Sequence, residues 1–167
     1  PRVLKTLKEN NAVATLFVVG NRVPTYSDTV KKAHDMGCEI GNHTYEHKNL
    51  TRVSEAEVKR QITKTNRNVK KVTGQAPVIM RPTGGATNAN VKQWVGMPSI
   101  IWSIDTLDWK TRNAGSTKKA VLDHVKDGDI VLMHDLYSAT ASASETIIPE
   151  LVKRGYQLVT VSELAEC

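Results

Sequence analysis

Two histidines with the spacing of metal ligands lie in the segment GNHTYEH. His43 and His47 are four residues apart and follow a short apolar run. On one turn of a helix, that spacing would let both imidazoles bind a single divalent cation. Zinc would need a third protein ligand, usually a carboxylate, and a catalytic site keeps water at its open position. The alternative interpretation, without a functional role, is a chance pair of surface histidines.

A possible acid group lies further along the chain. His134 ends the apolar segment IVLMHD, and an imidazole with a pKa near neutrality can protonate a leaving group. The segment DTLDW offers Asp105 and Asp108, either of which could orient a histidine, and Trp109 could wall a small apolar pocket. The structural alternative is a hydrogen-bonding histidine at a strand end and aspartates that bond loop amides.

The segment RPTGG combines a cation with a tight turn. Arg81 could orient a carboxylate, and either Gly84 or Gly85 could aim its backbone N–H at an oxyanion. The same proline and glycines are equally typical of a turn with no chemical role.

The elements that would position these residues alternate along the chain. Apolar runs predict strands at 14–19, 38–41, 78–80, 99–104, 130–133 and 157–159. Helical patterns occupy 1–10, 27–36, 54–73, 88–94, 116–125 and 144–154, with a last turn from Ser162. Ser54 with Glu57 forms a capping-box signal, and Asn88 and Ser116 are the predicted caps of later helices.

This alternation predicts parallel βαβ units, in either a doubly wound sheet or a barrel, within a single domain spanning residues 1–167. His43, Arg81, Asp105 and His134 all follow predicted strands, which favours a barrel whose loops gather on one rim. We therefore expect an α/β fold, a distorted (β/α) barrel of about seven strands. The first helical pattern has no strand before it, so we expect the opening strand to be absent from this chain.

Composition excludes several classes of function. No run approaches the roughly 18 apolar residues of a membrane span. The net charge is +6, but the basic residues are spread over helical faces such as 59–71 without aromatic residues between them. That pattern favours a solvated face over a nucleic-acid site. Cys38 and Cys167 fit no zinc-ligand spacing; Cys38 is expected to be a small buried residue, and pairing of the two stays open.

Four segments in order, GNHTYEH, RPTGGATN, DTLDW and IVLMHD, resemble four of the five motifs of the polysaccharide deacetylases. This family is also known as the NodB homology domain or carbohydrate esterase family 4, and the resemblance runs from about Ala14 to the C-terminus. It implies a metal-dependent hydrolase that removes acetyl groups from polysaccharide. The implied cofactor is a divalent metal, zinc first, with cobalt possible.

The resemblance also implies a role for each matching residue. His43 and His47 would be metal ligands, and Arg81 would orient the aspartate that acts as catalytic base. Asp108 would tune His134, the catalytic acid. Further roles fall to Thr44, which would hold the histidine loop, to Leu132 and Trp109, which would receive the acetyl methyl group, and to Gly84, whose N–H would face the oxyanion.

The chain departs from the family pattern in two places. Thr83 and Gly84 stand where the family usually has a proline and an aromatic residue. The first motif, T-F-D-D-G-P, supplies the base and a third metal ligand in the family, and it has no counterpart in these residues. The expected chain is thus an N-terminally incomplete deacetylase domain that a complementing N-terminal fragment could restore.

The rival interpretations are a non-catalytic carbohydrate-binding relative and an inactive truncated fragment. Peptidoglycan, chitin-like polymers and acetylated xylan all remain candidate substrates, with polymeric N-acetylglucosamine the first expectation. These polymers imply a secreted or wall-associated location, and no nucleic-acid partner is expected.

Overall fold

The computed structural model describes all 167 residues, which form two compact units. We call Thr15–Ile101 the central unit, and Pro1–Ala14 with Trp102–Cys167 the terminal unit. The helices are α1 (Arg2–Glu9), α2 (Ser27–Asp35), α3 (Glu55–Thr73), α4 (Ala89–Val95), α5 (Asp108–Thr111), α6 (Ala114–Leu122), α7 (Ser138–Lys153) and α8 (Val161–Leu164). The strands are β1 (Thr15–Val18), β2 (Glu39–Asn42), β3 (Ile104–Asp105) and β4 (Val131–Leu132). No helix combines the length and the apolar character that crossing a membrane requires.

The central unit contains a parallel ladder. β1 pairs with β2 in parallel. Two isolated parallel bridges, between Asn42 and Met80 and between Met80 and Ser99, extend this ladder. The segments predicted as strands at 78–80 and 99–104 therefore contribute one bridging residue each to this ladder. Parallel pairing confirms the predicted βαβ units, whereas the barrel of about seven strands stays a prediction.

Helix α3 begins and ends where the sequence predicted. Ser54 Oγ accepts a hydrogen bond from Glu57 N at 3.2 Å, and Gly74 ends the helix in the left-handed region with φ of 81°. The other half of the predicted capping box is replaced, because the Glu57 carboxylate accepts bonds from Arg60 and Gln61 instead. The apolar face of α3 packs into the core of the central unit, which comprises Leu50, Val58, Ile62, Met80, Val91 and Val95.

Gly20 allows its loop to approach α3 closely. A Cβ built on Gly20 would stand 2.8 Å from Thr65 Cα, and backbone cannot yield as a flexible side chain does. We expect Gly20→Ala to lower the free energy of unfolding by about 2 kcal/mol, measured by urea denaturation. Gly115→Ala, at an exposed position of α6, should change it by no more than about 1 kcal/mol. Equal stabilities of the two variants would contradict this packing argument.

The terminal unit pairs β3 with β4 in parallel, with Asp105 opposite Leu132. Its core lies between α6 and α7, where Val121, Ala143, Ile147 and Leu151 are buried. Arg2 of α1 donates to Glu145 of α7 at 2.9 Å.

One predicted strand and two predicted helix starts in this unit were wrong. Residues 157–159 form no strand; their backbone contact is a bond from Val13 N to Leu158 O. Helix α6 begins earlier than predicted, because Asn113 rather than Ser116 caps it by accepting from Ser116 N at 2.9 Å. Helix α7 begins at Ser138 rather than at 144, since its first two turns bury small residues that carry no apolar periodicity.

The two cysteines are not joined by a disulfide. Cys38 is only 3% exposed, which confirms its predicted place among the small buried residues. Cys167 is exposed at the end of the chain.

Candidate functional site

The two histidines of the GNHTYEH segment meet in an irregular loop after β2. Their ring centroids are 5.1 Å apart, so the sequence correctly placed two imidazoles together. The two histidines do not share a helical turn, because Thr44 and His47 adopt left-handed backbone conformations with φ of 65° and 58°. Such conformations are disfavoured for residues other than glycine and persist only where surrounding contacts hold them.

Two fully buried amide side chains hold this histidine loop. Asn42 Oδ1 accepts from Thr44 N at 2.9 Å, and Gln61 Oε1 accepts from Tyr45 N and Glu46 N at 2.8 Å each. Both side chains are 0% exposed. Sequence reasoning missed Gln61, although the polar residue shares the buried stripe of α3 with Val58 and Ile62, which was an available signal.

The donor side of Gln61 is anchored just as firmly. Its Nε2 donates to Glu46 Oε2 at 2.7 Å and to Glu57 Oε1 at 2.9 Å, and Arg60 and Lys48 pair with the same carboxylates. The hydrogen bonds from Arg60, Gln61 and Lys48 hold the pKa of Glu57 well below its usual range. The amide therefore cannot rotate without breaking bonds to two carboxylates.

The edge of the central ladder brings His43 and Arg81 together. Arg81 N donates to Asn42 O at 2.8 Å, and His43 Nδ1 lies 2.6 Å from Arg81 O. A carbonyl only accepts, so Nδ1 carries the proton in this bond and metal binding by the ring would use Nε2. Anchoring of the second ring nitrogen by a carbonyl is the usual arrangement of a metal-binding histidine.

The Arg81 side chain is buried as a cation. Its Nε and one terminal nitrogen donate to the carbonyl oxygens of Ile100 and Ile101, each at 3.2 Å. Its guanidinium carbon lies 4.3 Å from the centre of the Phe17 ring. Burial lowers the pKa of Arg81 to about 10, so the group remains charged at neutral pH.

The loop after Arg81 turns through two glycines. Gly84 has φ of 61° and Gly85 has φ of 73°, both in the left-handed region. A Cβ at Gly84 would meet nothing within 4 Å, so glycine is favoured there by its backbone conformation and not by crowding. Thr44 Oγ1 lies 3.4 Å from Thr83 Oγ1, which links this loop to the histidine loop.

In the terminal unit, the buried Asp108 and the partly exposed His134 form a hydrogen-bonded pair. His134 Nδ1 lies 2.8 Å from Asp108 Oδ1, and His134 N donates to Asp108 Oδ2 at 2.6 Å. Thr140 Oγ1 donates to the same oxygen at 2.8 Å, and Trp109 N donates to Oδ1 at 2.9 Å. With Asp108 only 1% exposed, the imidazole is held in one orientation with its proton on Nδ1.

These hydrogen bonds control the charge of Asp108. Desolvation alone would raise the pKa of this carboxyl, but the bonds from the His134 ring, His134 N and Thr140 outweigh it and lower the pKa. The carboxylate is therefore ionised at neutral pH. Thr140 was not predicted from the sequence, because its contact with Asp108 spans 32 residues.

The remaining predicted residues of this unit have separate places. Trp109 is 49% exposed in the first turn of α5, and Leu132 is 7% exposed in β4. Asp105 accepts from Leu107 N at 2.9 Å and, with Lys119 and His124, lines an open cleft of about 340 Å³. Of the two candidate aspartates, Asp108 is thus the partner of His134.

The donor chemistry of the histidine loop fits part of a zinc site. Two imidazoles, one with its Nδ1 anchored by a carbonyl, match the ligand types that zinc prefers. No cluster of three or more His, Cys, Asp or Glu side chains that could hold a metal ion occurs in the 167 residues. His43 and His47 would therefore be two ligands of a larger set.

Residues 1–96 match the family described as polysaccharide deacetylase. The chain belongs to the polysaccharide deacetylase family. It is 45% identical over 164 residues to the peptidoglycan-N-acetylglucosamine deacetylase PgdA of Listeria monocytogenes, covering 98% of this chain and 35% of that protein. It is 38% identical over 165 residues to the peptidoglycan-N-acetylmuramic acid deacetylase PdaC of Bacillus subtilis, covering 99% of this chain and 35% of that protein.

Solved structures of the family confirm the α/β fold of this chain. The structure of PdaC matches it with a TM-score of 0.97, covering 99% of this chain and 82% of that chain. A CE4 family pseudoenzyme from Bacillus anthracis, 34% identical, matches with a TM-score of 0.91 and covers 98% of this chain and 59% of that chain. The chain spans about a third of the length of PgdA and of PdaC. The family thus contains both enzymes and a relative described as a pseudoenzyme.

Proposed function

We propose that this chain is the catalytic portion of a metal-dependent deacetylase that removes acetyl groups from polymeric N-acetylglucosamine, such as peptidoglycan. The hydrogen-bonded pair of Asp108 and His134 carries the proposal. A binding protein has no use for a buried carboxylate that fixes one tautomer of a half-exposed histidine, whereas a general acid requires it.

In this proposal His134 protonates the departing amine as the amide bond breaks. Asp108 stabilises the imidazolium and keeps its ring in place, and Thr140 holds the second carboxylate oxygen. Trp109 and Leu132 would receive the acetyl methyl group, as the family resemblance implies.

His43 and His47 would hold the metal, with zinc the first choice and cobalt possible. When bound, a divalent cation polarises the substrate carbonyl and lowers the pKa of its water. Gly84 N would donate to the developing oxyanion, and the buried cation of Arg81 would orient a carboxylate base. In the family that base belongs to a T-F-D-D-G-P motif, which a complementing N-terminal fragment would supply here.

The proposed substrate implies a location. Peptidoglycan, chitin-like polymers and acetylated xylan lie outside the cytoplasm, so we propose a secreted or wall-associated protein. PgdA and PdaC support peptidoglycan over the other two polymers, because their names specify its two sugars.

Acetate release tests the proposal. The chain is assayed with zinc on oligomeric N-acetylglucosamine, alone and with a peptide carrying a T-F-D-D-G-P motif. We expect the peptide to raise the rate by about 10² to 10⁴, the usual contribution of a general base. His134→Gln should remove that gain, while the matched change His124→Gln, at an exposed histidine of α6's C-terminal end, should retain it.

The alternative is a non-catalytic carbohydrate-binding relative. The pseudoenzyme among the similar structures supports this alternative. Oligosaccharide binding with no acetate release in the presence of both zinc and the motif peptide would establish that alternative. Release that is insensitive to His134→Gln would contradict the proposed acid.

A further inference from the structure

An aromatic ring carrying a cation lies beside His134 in the terminal unit. The centroid of the Tyr137 ring is 6.4 Å from that of His134, in an edge-to-face arrangement. The guanidinium carbon of Arg112 lies 4.8 Å from the centre of the same Tyr137 ring. The three side chains therefore form a continuous row that starts at the proposed acid and ends at a positive charge.

The charge of Arg112 is available for a ligand. Arg2, Arg60 and Arg154 form salt bridges with glutamates, but Arg112 forms none with an acidic residue of this chain. Stacking on a ring leaves the edge of a guanidinium able to donate a pair of parallel hydrogen bonds, which suits a carboxylate.

The backbone at Arg112 is unusual for its residue type. Arg112 ends α5 with φ of 45°, and Leu107 precedes the same four-residue helix with φ of 53°. Helices that end in the left-handed region usually do so at glycine or asparagine, because a Cβ disfavours that conformation. Arg112 therefore holds a backbone conformation that its residue type does not favour.

The surroundings suit a sugar. Trp109, which follows Asp108, is 49% exposed, and Leu136, which precedes Tyr137, is 76% exposed. Exposed aromatic side chains next to a reactive group are typical of small-molecule recognition surfaces, where they provide apolar area with few rotamers to fix.

We propose that Arg112 and Tyr137 form a subsite for a carboxylate-bearing amino sugar next to the acetylated sugar that reacts at His134. The proposal rests on the proposed deacetylase function and narrows its substrate to an anionic glycan such as peptidoglycan, in preference to chitin-like polymers or xylan. The sugar ring packs on the aromatic surface and its carboxylate pairs with Arg112. The carboxylate is either the lactyl group of muramic acid or an acid of the attached peptide.

The test is an NMR titration of the 167-residue chain with three probes of equal sugar length. These are a glycan tetrasaccharide with free lactyl carboxylates, the same glycan with its lactyl groups amide-linked to peptide, and a chito-tetrasaccharide. We expect a carboxylate-bearing probe to bind about fivefold more tightly than the chito-tetrasaccharide, as one charge-assisted pair at an exposed site provides. Whichever of the two carboxylate-bearing probes binds more tightly identifies the source of the carboxylate.

Two variants that each remove one positive charge distinguish binding by Arg112 from a general effect of the positive charge of the chain. Arg112→Gln should reduce the ratio between the affinity for the carboxylate-bearing probe and that for the chito-tetrasaccharide to about one. Lys110→Gln removes the same charge from the same helix and should leave this ratio unchanged. Tyr137→Phe preserves the ring on which the guanidinium lies and should also keep the ratio. Equal affinities in the wild type, or equal losses in the Arg112 and Lys110 variants, would overturn the subsite.

The two proposals fail in distinguishable ways. A preference for carboxylate-bearing probes, with no acetate release when zinc and the motif peptide are both present, would leave the subsite standing and contradict the deacetylase function. Acetate release without that preference would contradict the subsite alone, and failure of all three probes to bind would count against both.

Discussion

Asp108→Asn is expected to reduce the proposed His134-dependent acetate release by a factor on the order of 10² to 10⁴. It should also lower the free energy of unfolding by about 3 kcal/mol. The carboxylate accepts four hydrogen bonds while 1% exposed. An asparagine amide would turn its NH₂ group toward donors that now point at Oδ1 or Oδ2. Buried donors left without an acceptor account for the loss of stability.

The same substitution should change how stability depends on pH. The folded-state pKa of Asp108 lies below its ordinary value of 3.8, so its contribution is fully present above that value. The contribution is lost as pH falls through the lowered folded-state pKa. Urea unfolding at pH 7 and pH 3 should therefore show a smaller difference between wild type and Asp108→Asn in acid.

A matched control lies in the same unit. Asp123 is exposed at the end of α6, and Asp123→Asn should change stability by no more than about 0.5 kcal/mol. A difference between wild type and Asp108→Asn that stays constant from pH 7 to pH 3 would contradict the ionised, hydrogen-bonded carboxylate.

Gln61→Met is expected to lower the free energy of unfolding by about 3 kcal/mol and to weaken the proposed zinc binding by about tenfold. Methionine fills a similar volume but cannot accept from Tyr45 N and Glu46 N, the amides between the two histidines. Without those bonds, the left-handed conformations at Thr44 and His47 lose part of what holds them. Amide hydrogen exchange at Tyr45 and Glu46 measures the effect directly.

Val69→Ala provides the comparison for Gln61→Met. Val69 is 1% exposed on the same helix, and its truncation leaves a cavity without touching the histidine loop. It should accelerate exchange throughout the central unit in proportion to lost stability, while Gln61→Met should accelerate Tyr45 and Glu46 beyond the rest. Identical exchange patterns would mean that Gln61 serves only the core.

The sequence predicted the parts of the site that depend on strand ends. His43 and Arg81 follow neighbouring members of one parallel ladder, and their backbones meet at its carboxyl edge. Asp108 and His134 follow the paired strands β3 and β4 in the same way. Carboxyl ends of parallel strands lie at one edge, so the position of these residues after each strand was enough to predict that they gather at such an edge.

Other features could not be predicted from local pattern. The conformation of the histidine loop is one of them, because the side chains of Gln61 and Asn42 bind its backbone amides. The strand expected at 157–159 is absent, since an apolar run becomes a strand only where neighbouring backbone completes a ladder.

The sequence by itself determined which residue types follow each strand, the caps of α3 and the family to which the motifs belong. These are local properties of residue order, set by periodicity and by the few residues at each end of an element. The tertiary structure decided which amide holds the histidine loop and that Arg112 lies on Tyr137. It also shows the contact between Asp108 and His134, which the spacing of the residues had left open and only the family resemblance had implied. Each of these contacts joins residues at least 15 positions apart in the chain. Only folding brings such residues within hydrogen-bonding or stacking distance, which is the physical reason that no local pattern specified them.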